Sequence, residues 1–225
     1  MAQEQVDALL VNQDLDGGWG YLHFEFTTQR PNAGSTCFTS ATALAGIYEA
    51  MQVLDVKMPA SRLKQAVASI IYQRTPDFSY VYARGHKYRP RSPINRPAGS
   101  LGRTQACNYA VRVFGDEKVT DEIIIEWLDR LVKRNGWLDI GRKRPIPHET
   151  HFQVAGYFYY YGHYYAVLGL KLLPEDQQTE WKSKIGKIIL QNQDKDGSWW
   201  DYPLYDYHQA YGTGYALSTL SRCRL

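Results

Sequence analysis

The stretch Gln191-Asn192-Gln193-Asp194-Lys195-Asp196-Gly197-Ser198-Trp199-Trp200 ends an amphipathic run with a turn and an aromatic pair. Reduced to Gln193-x-x-x-Gly197-x-Trp199, it returns near the other end of the chain as Gln13-Asp14-Leu15-Asp16-Gly17-Gly18-Trp19. Two weaker copies lie between them, Gln73-Arg74-Thr75-Pro76-Asp77-Phe78 and Arg134-Asn135-Gly136-Trp137. Aligned on Trp19, Phe78 to Ser79, Trp137 and Trp199, the copies recur roughly every 60 residues, the mark of a repeat architecture. The recurrence also decides how Asp194-x-Asp196 is read. Its twin Asp14-x-Asp16 sits at the same helix end beside glycine, so both pairs are structural punctuation rather than catalytic acids.

An amphipathic helix is expected before each copy. The apolar stripes are Val6, Leu9 and Leu10; Leu63, Ala66, Val67, Ile70 and Ile71; Ile123, Ile124, Trp127, Leu128 and Leu131; and Trp181, Ile185, Ile188 and Ile189. The third has the fullest set of end signals, with Thr120 as N-cap, Asp121 and Glu122 in the first turn, and Lys133 and Arg134 before Asn135-Gly136. After each copy comes a helix apolar or small nearly all round: Phe38 to Val53, Thr104 to Phe114, Phe152 to Leu172 and Ala210 to Leu220. A helix without a charged face must be covered on both sides. One-faced helices outside and two-faced helices inside predict an all-α fold, an α/α toroid or partial toroid of about four helical hairpins in two concentric layers. The whole of 1–225 reads as a single domain, either an arc of a larger ring or a ring completed by a second copy or a partner chain. Long connections such as Thr75 to Arg103 and Leu138 to His151 all run from outer to inner helix, which gathers them at one rim.

Composition narrows the function classes. The 18 Tyr and 6 Trp, against 3 Met, require an interior or a cavity lined by rings with polar tips. A net charge of +3 is too small to imply a nucleic-acid partner, and no binding motif accompanies it. The tyrosines within Phe152 to Leu170 argue against a membrane span. Cys37, Cys107 and Cys223 offer no Cys-x-x-Cys pair and read as buried free thiols. With no leader-like pattern in Met1-Ala2-Gln3-Glu4-Gln5, the expected location is cytoplasmic.

The Gln-x-x-x-Gly-x-Trp copies, their spacing and the closing Tyr215-Ala216-Leu217-Ser218-Thr219-Leu220 resemble the repeats shared by squalene and oxidosqualene cyclases and by the β subunits of protein prenyltransferases. The resemblance implies a toroid in which the repeated motif ties neighbouring outer helices together. It does not carry over the chemistry. The Asp-x-Asp-Asp acid of the cyclases has no counterpart, no Asp-x-Cys zinc pair occurs, and Gly212 stands where the transferases' zinc histidine would be. Neither a metal nor a cofactor is expected, and whether the chain is an enzyme stays open.

Three groups of residues are candidates for function. Arg84, His86, Lys87, Arg89, Arg91, Arg96 and Arg103 gather in one long connection, joined by Arg142, Lys143 and Arg144 in the next; guanidinium forks suit a diphosphate, a sulfate or an anionic lipid head. Tyr161, Tyr211 and Tyr215 are expected to line an aromatic centre suited to an apolar, isoprenoid or lipid-like ligand. His151, His163 and Tyr165 are the candidates for proton transfer beside it. Against this stand two alternatives: a non-catalytic domain presenting its rim to a protein or polysaccharide, and a carbohydrate-active α/α barrel. The latter needs a carboxylate pair, for which Glu25, Asp139, Glu149 and Asp206 are the loosely placed candidates.

Overall fold

The computed structural model of the chain describes residues 1–20, 34–148, 150–203 and 207–224. Glu25, Glu149 and Asp206 lie outside them. Among the described residues there are nine α-helices and no strand, only two isolated β-bridges. The outer helices are α1 (Ala2–Val11), α3 (Ala60–Gln73), α5 (Asp121–Lys133) and α8 (Glu175–Gln191); the inner ones are α2 (Cys37–Val53), α4 (Leu101–Val113), α7 (Phe158–Leu170) and α9 (His208–Arg222). A short α6 (Asn135–Asp139) follows α5. The inner helices pack in succession, α2 on α4, α4 on α7 and α7 on α9, with an outer helix behind each. This is the two-layered partial toroid of four hairpins. No described helix is long and apolar enough to cross a membrane.

Burial follows position in the arc. In α7 every residue but Tyr164 is buried, and in α4 everything from Leu101 to Val111, because both helices have neighbours on each side. In α9, at one end of the arc, only Gly212, Ala216 and Thr219 are buried. The two central helices meet through glycine: a Cβ on Gly162 would come within 2.7 Å of the Gly102 Cα, so any larger residue would force the backbones apart.

The turn at the end of the outer helices is one hydrogen-bonded device. The amide of Asp14 donates to Gly18 O, that of Thr75 to Ser79 O, and that of Asp194 to Ser198 O; Gly17, Phe78 and Gly197 then donate back to Asp14, Thr75 and Asp194 O. Asp16, Asp77 and Asp196 each accept from the amide two residues on. The central residue is left-handed in all three, at φ 91°, 60° and 85°. This equivalence places Tyr80, rather than Phe78 to Ser79, opposite Trp19 and Trp199. The backbone of each aromatic is then held by an inner helix: Trp19 N and O by Ser40 Oγ, Tyr80 O by the Arg103 guanidinium, Trp199 N and O by Thr213 Oγ1.

Three expectations are corrected. Trp137 lies in helix α6, stacked on Phe152 at 4.9 Å, not in a copy of the turn. Thr120 holds the N-cap position of α5 but makes no capping hydrogen bond with its side chain. The third inner helix starts at Phe158, not Phe152, because Gln153 is left-handed at φ 52° and cannot propagate a right-handed helix; the buried Asp201 carboxylate receives the Tyr160 amide at the new start.

The first turn docks on the next outer helix, with Gln13 Nε2 donating to both Gly17 O and Arg62 O. A Cβ on Gly17 would sit 2.5 Å from Gln65 O, whereas one on Gly197 meets nothing nearer than Gln193 Nε2 at 3.8 Å. Gly17→Ala is therefore expected to cost about 3 kcal/mol or more, combining left-handed strain with a backbone clash. Gly197→Ala costs only the strain, about 1 kcal/mol. Urea unfolding of both variants measures the difference.

Candidate ligand-binding site

Three inner helices line an open cavity of about 570 Å³. From α2 it is lined by Thr42, Ala45, Gly46 and Glu49, from α7 by Tyr164, Tyr165 and Leu168, and from α9 by Ala210, Tyr211, Gly214, Tyr215 and Ser218. A second cavity of about 220 Å³ shares Thr42, Tyr211 and Tyr215 with it and extends to Phe38, Thr39, Tyr157, Phe158 and Tyr161. Residue numbers rise together on the three helices from the small cavity to the large one, so the helices run parallel and the two spaces form one cleft along their axes. From Phe38 to Glu49 it follows α2 for about 16 Å. Small residues on α2 and α9 leave the space, and the rings of α7 and α9 wall it.

The rings form a connected cluster. Tyr161 lies 4.7 Å from Tyr165, Tyr164 lies 5.3 Å from Tyr215, and Tyr211 lies 4.9 Å from Tyr215, mostly edge to face. Tyr161 Oη crosses from α7 to donate to Phe38 O at 3.1 Å, which ties the mouth end of the cleft to α2. Burial raises the hydroxyls of Tyr161, Tyr165 and Tyr211 above the usual phenol range and that of Tyr215 to about 12, so they stay neutral donors at any ordinary pH.

The expected site residues divide. Tyr161, Tyr165, Tyr211 and Tyr215 come together at the cleft. His163 points the other way: Nδ1 is 2.7 Å from Tyr159 O and Nε2 2.8 Å from Asn135 Nδ2, which makes Nδ1 the donor and Nε2 the acceptor. Burial lowers its pKa to about 4. His151 is exposed and meets Phe152 edge to face at 4.9 Å. On the rim, Arg84 lies 3.8 Å from Asp16 and over the Tyr72 ring, and Lys87 donates to Arg74 O. Arg103 is buried and spends its guanidinium on the carbonyls of Tyr80, Gly99 and Ile94. Arg89 and Arg91 are exposed. His86 lies 5.5 Å from Tyr82, which in turn packs on Phe38 at the mouth of the small cavity; burial lowers the His86 pKa, with Arg103 and Arg89 adding to it. Arg142 pairs with Asp139, and Lys143 bridges both oxygens of Asp194.

Sequence reading missed two features of this region. Glu49 lines the large cavity and accepts from Tyr109 Oη at 3.0 Å; as the one charged residue in a largely apolar helix it carried no motif. At the mouth, Tyr82 Oη and Tyr157 Oη lie 3.0 Å apart, and Tyr157 Oη lies 3.2 Å from His148 Nε2. His148 is left-handed at φ 64°, and its Nδ1 is bonded to Gln153 O. Among the described residues no three His, Cys, Asp or Glu side chains are placed to hold a metal ion.

No family model matches the chain. No curated protein matches it. Among solved structures, the apo form of the type II terpene cyclase MstE from Scytonema matches over 98% of this chain and 78% of that one, at 13% identity and a TM-score of 0.39. A likeness of that size carries no argument about function, which rests on the geometry above.

Two buried groups give the stability a pH signature. His163 has a folded pKa of about 4, below its ordinary value, so the unfolded chain binds the extra proton and stability is lost as pH falls from about 6.5 to about 4. Asp201 is raised by burial to about 7, so stability is lost as pH rises from about 4 to about 7. The two slopes oppose each other. Relative to the unsubstituted protein, Asp201→Asn is expected to lose stability on going from pH 6.5 to 4.5, and His163→Asn to gain it, each by about 1–3 kcal/mol. Denaturant titrations at the two pH values read both differences.

Proposed function

We propose that the cleft binds an apolar ligand of isoprenoid or lipid-like character, with the basic rim as the place for an anionic head. The observation that carries this reading is the cleft itself. Its size falls within the usual range for small-molecule sites, and its walls are rings and small residues from three rigid inner helices. Tyrosine lining supports it further, because each ring offers an apolar face along the chain of a ligand and a neutral hydroxyl at its edge. Near the mouth, His86 and the N-terminal turns of α2, α7 and α9 favour negative charge, and the exposed Arg89 and Arg91 that follow His86 in the chain would add to it. Of the three proton-transfer candidates, Tyr165 is the one that touches the cleft.

Plugging the cleft tests the reading. A Cβ on Gly46 or on Gly214 meets nothing within 4 Å, although both residues line the cavity. Gly46→Leu and Gly214→Leu are therefore expected to fold at least as stably as the parent, gaining up to about 1 kcal/mol from helix propensity, while losing an apolar ligand. Native mass spectrometry and lipid extraction of the purified protein, before and after plugging, read the outcome. Retention of the same ligand by both plugged variants would refute the assignment. At the rim, Arg89→Ala with Arg91→Ala is expected to weaken an isoprenoid diphosphate about tenfold or more while leaving the parent alcohol unaffected.

A further inference from the structure

The cleft has two electrostatically different ends. At the rim it opens beside the N-terminal turns of its three helices, at Phe38, Phe158 and Tyr211. Its other end lies at Glu49, Leu168 and Ser218, all within about a turn of the C-termini of α2, α7 and α9 at Val53, Leu170 and Arg222. Parallel helix dipoles place partial negative charge at that end, and it falls off within the last turn, where these residues sit. Glu49 adds a formal charge. Among the residues lining either cavity it is the one that carries charge. Its Oε1 accepts from Tyr109, whose hydroxyl is raised above its ordinary range by burial and by Glu49 itself and so remains the donor. Among the described residues Glu49 has no ion-pair partner. Arg222 lies over the Tyr164 ring at 5.1 Å, donates to Ser218 O, and does not line the cavity.

From these observations we infer that the Glu49 end of the cleft is a site for an organic cation, an ammonium group carried on an apolar chain. A partly exposed carboxylate at one end of an apolar cleft favours a positive group that can neutralise it. The rings of Tyr165 and Tyr215, which line the cavity, add electrostatics that suit an ammonium, and helix C-termini act in the same sense. The inference rests on the cavity reading above and is independent of the rim, which lies at the opposite mouth. Nonspecific attraction cannot mimic it, because the chain carries a net charge of +3 and would draw anions.

The test compares three probes of one chain length, decyltrimethylammonium, decyl sulfate and decanol, by isothermal titration calorimetry below their aggregation limits, with Gly46→Leu and Glu49→Gln as variants. Decyltrimethylammonium is expected to bind about tenfold or more tightly than decanol, and Glu49→Gln to reduce that ratio to near one while decanol affinity is kept. If decanol binds the unsubstituted protein as tightly as the ammonium, or if the preference over decanol survives Glu49→Gln, the cation site is wrong and the apolar cleft stands. If no probe binds, or if all bind Gly46→Leu unchanged, the cleft reading falls and the cation site with it.

Discussion

Everything in this molecule depends on how the chain turns at the end of an outer helix. The turn needs a left-handed residue, an aspartate accepting from the amide two positions on, and an aromatic whose own backbone groups are claimed by an inner helix. Those last hydrogen bonds are specific in position but not in chemistry: Ser40, Arg103 and Thr213 do the same work with a hydroxyl, a guanidinium and a hydroxyl. Because backbone groups buried at this junction must be paired, the turn fixes where α2, α4 and α9 are held, while α7 is set by Gln153 and Asp201. With the starts fixed, the inner helices come out parallel and their long entry loops share one rim.

Parallel alignment has consequences that a bundle of alternating helices would not have. Helix dipoles add rather than cancel, so the cleft has a positive mouth and a negative floor before any side chain is considered. Glu49 lies at the second. Strained backbone also collects at the mouth, where His148 and Gln153 are both left-handed and joined by a hydrogen bond.

Tyrosine lets one helix serve two surfaces. On the cleft side of α7, Tyr161 and Tyr165 line the two cavities. On the outer side, Tyr159 Oη donates to Asn135 and accepts from Asn192, and Tyr160 reaches Asn192 O, tying α7 to the ends of two outer helices. Phenylalanine could wall the cleft but would leave Asn135 and Asn192 with unpaired polar groups. Burial without loss of hydrogen bonding is what the aromatic composition achieves.

The repeat and the layering were legible in the sequence, because they follow from local chemistry: a glycine or aspartate at a turn, and stripes that separate one-faced from two-faced helices. The tyrosines of the cleft were legible for the same reason, since a helix apolar all round must face inward. Trp137 and the start of α7 were not, because they depend on contacts with Phe152 and Asp201 that are remote in the chain or follow no periodic pattern. Arg103 illustrates the gap most plainly. In the sequence it belongs to a run of cations at a rim, and in the fold it is buried on three carbonyls. Glu49 is the converse, a single acid in an apolar helix whose meaning comes only from what α7 and α9 place opposite it. Local pattern sets which elements form and which faces are buried; whether a charge meets solvent, a carbonyl or a cavity is decided by the tertiary packing, since the cost of burying it depends on partners that are distant in sequence.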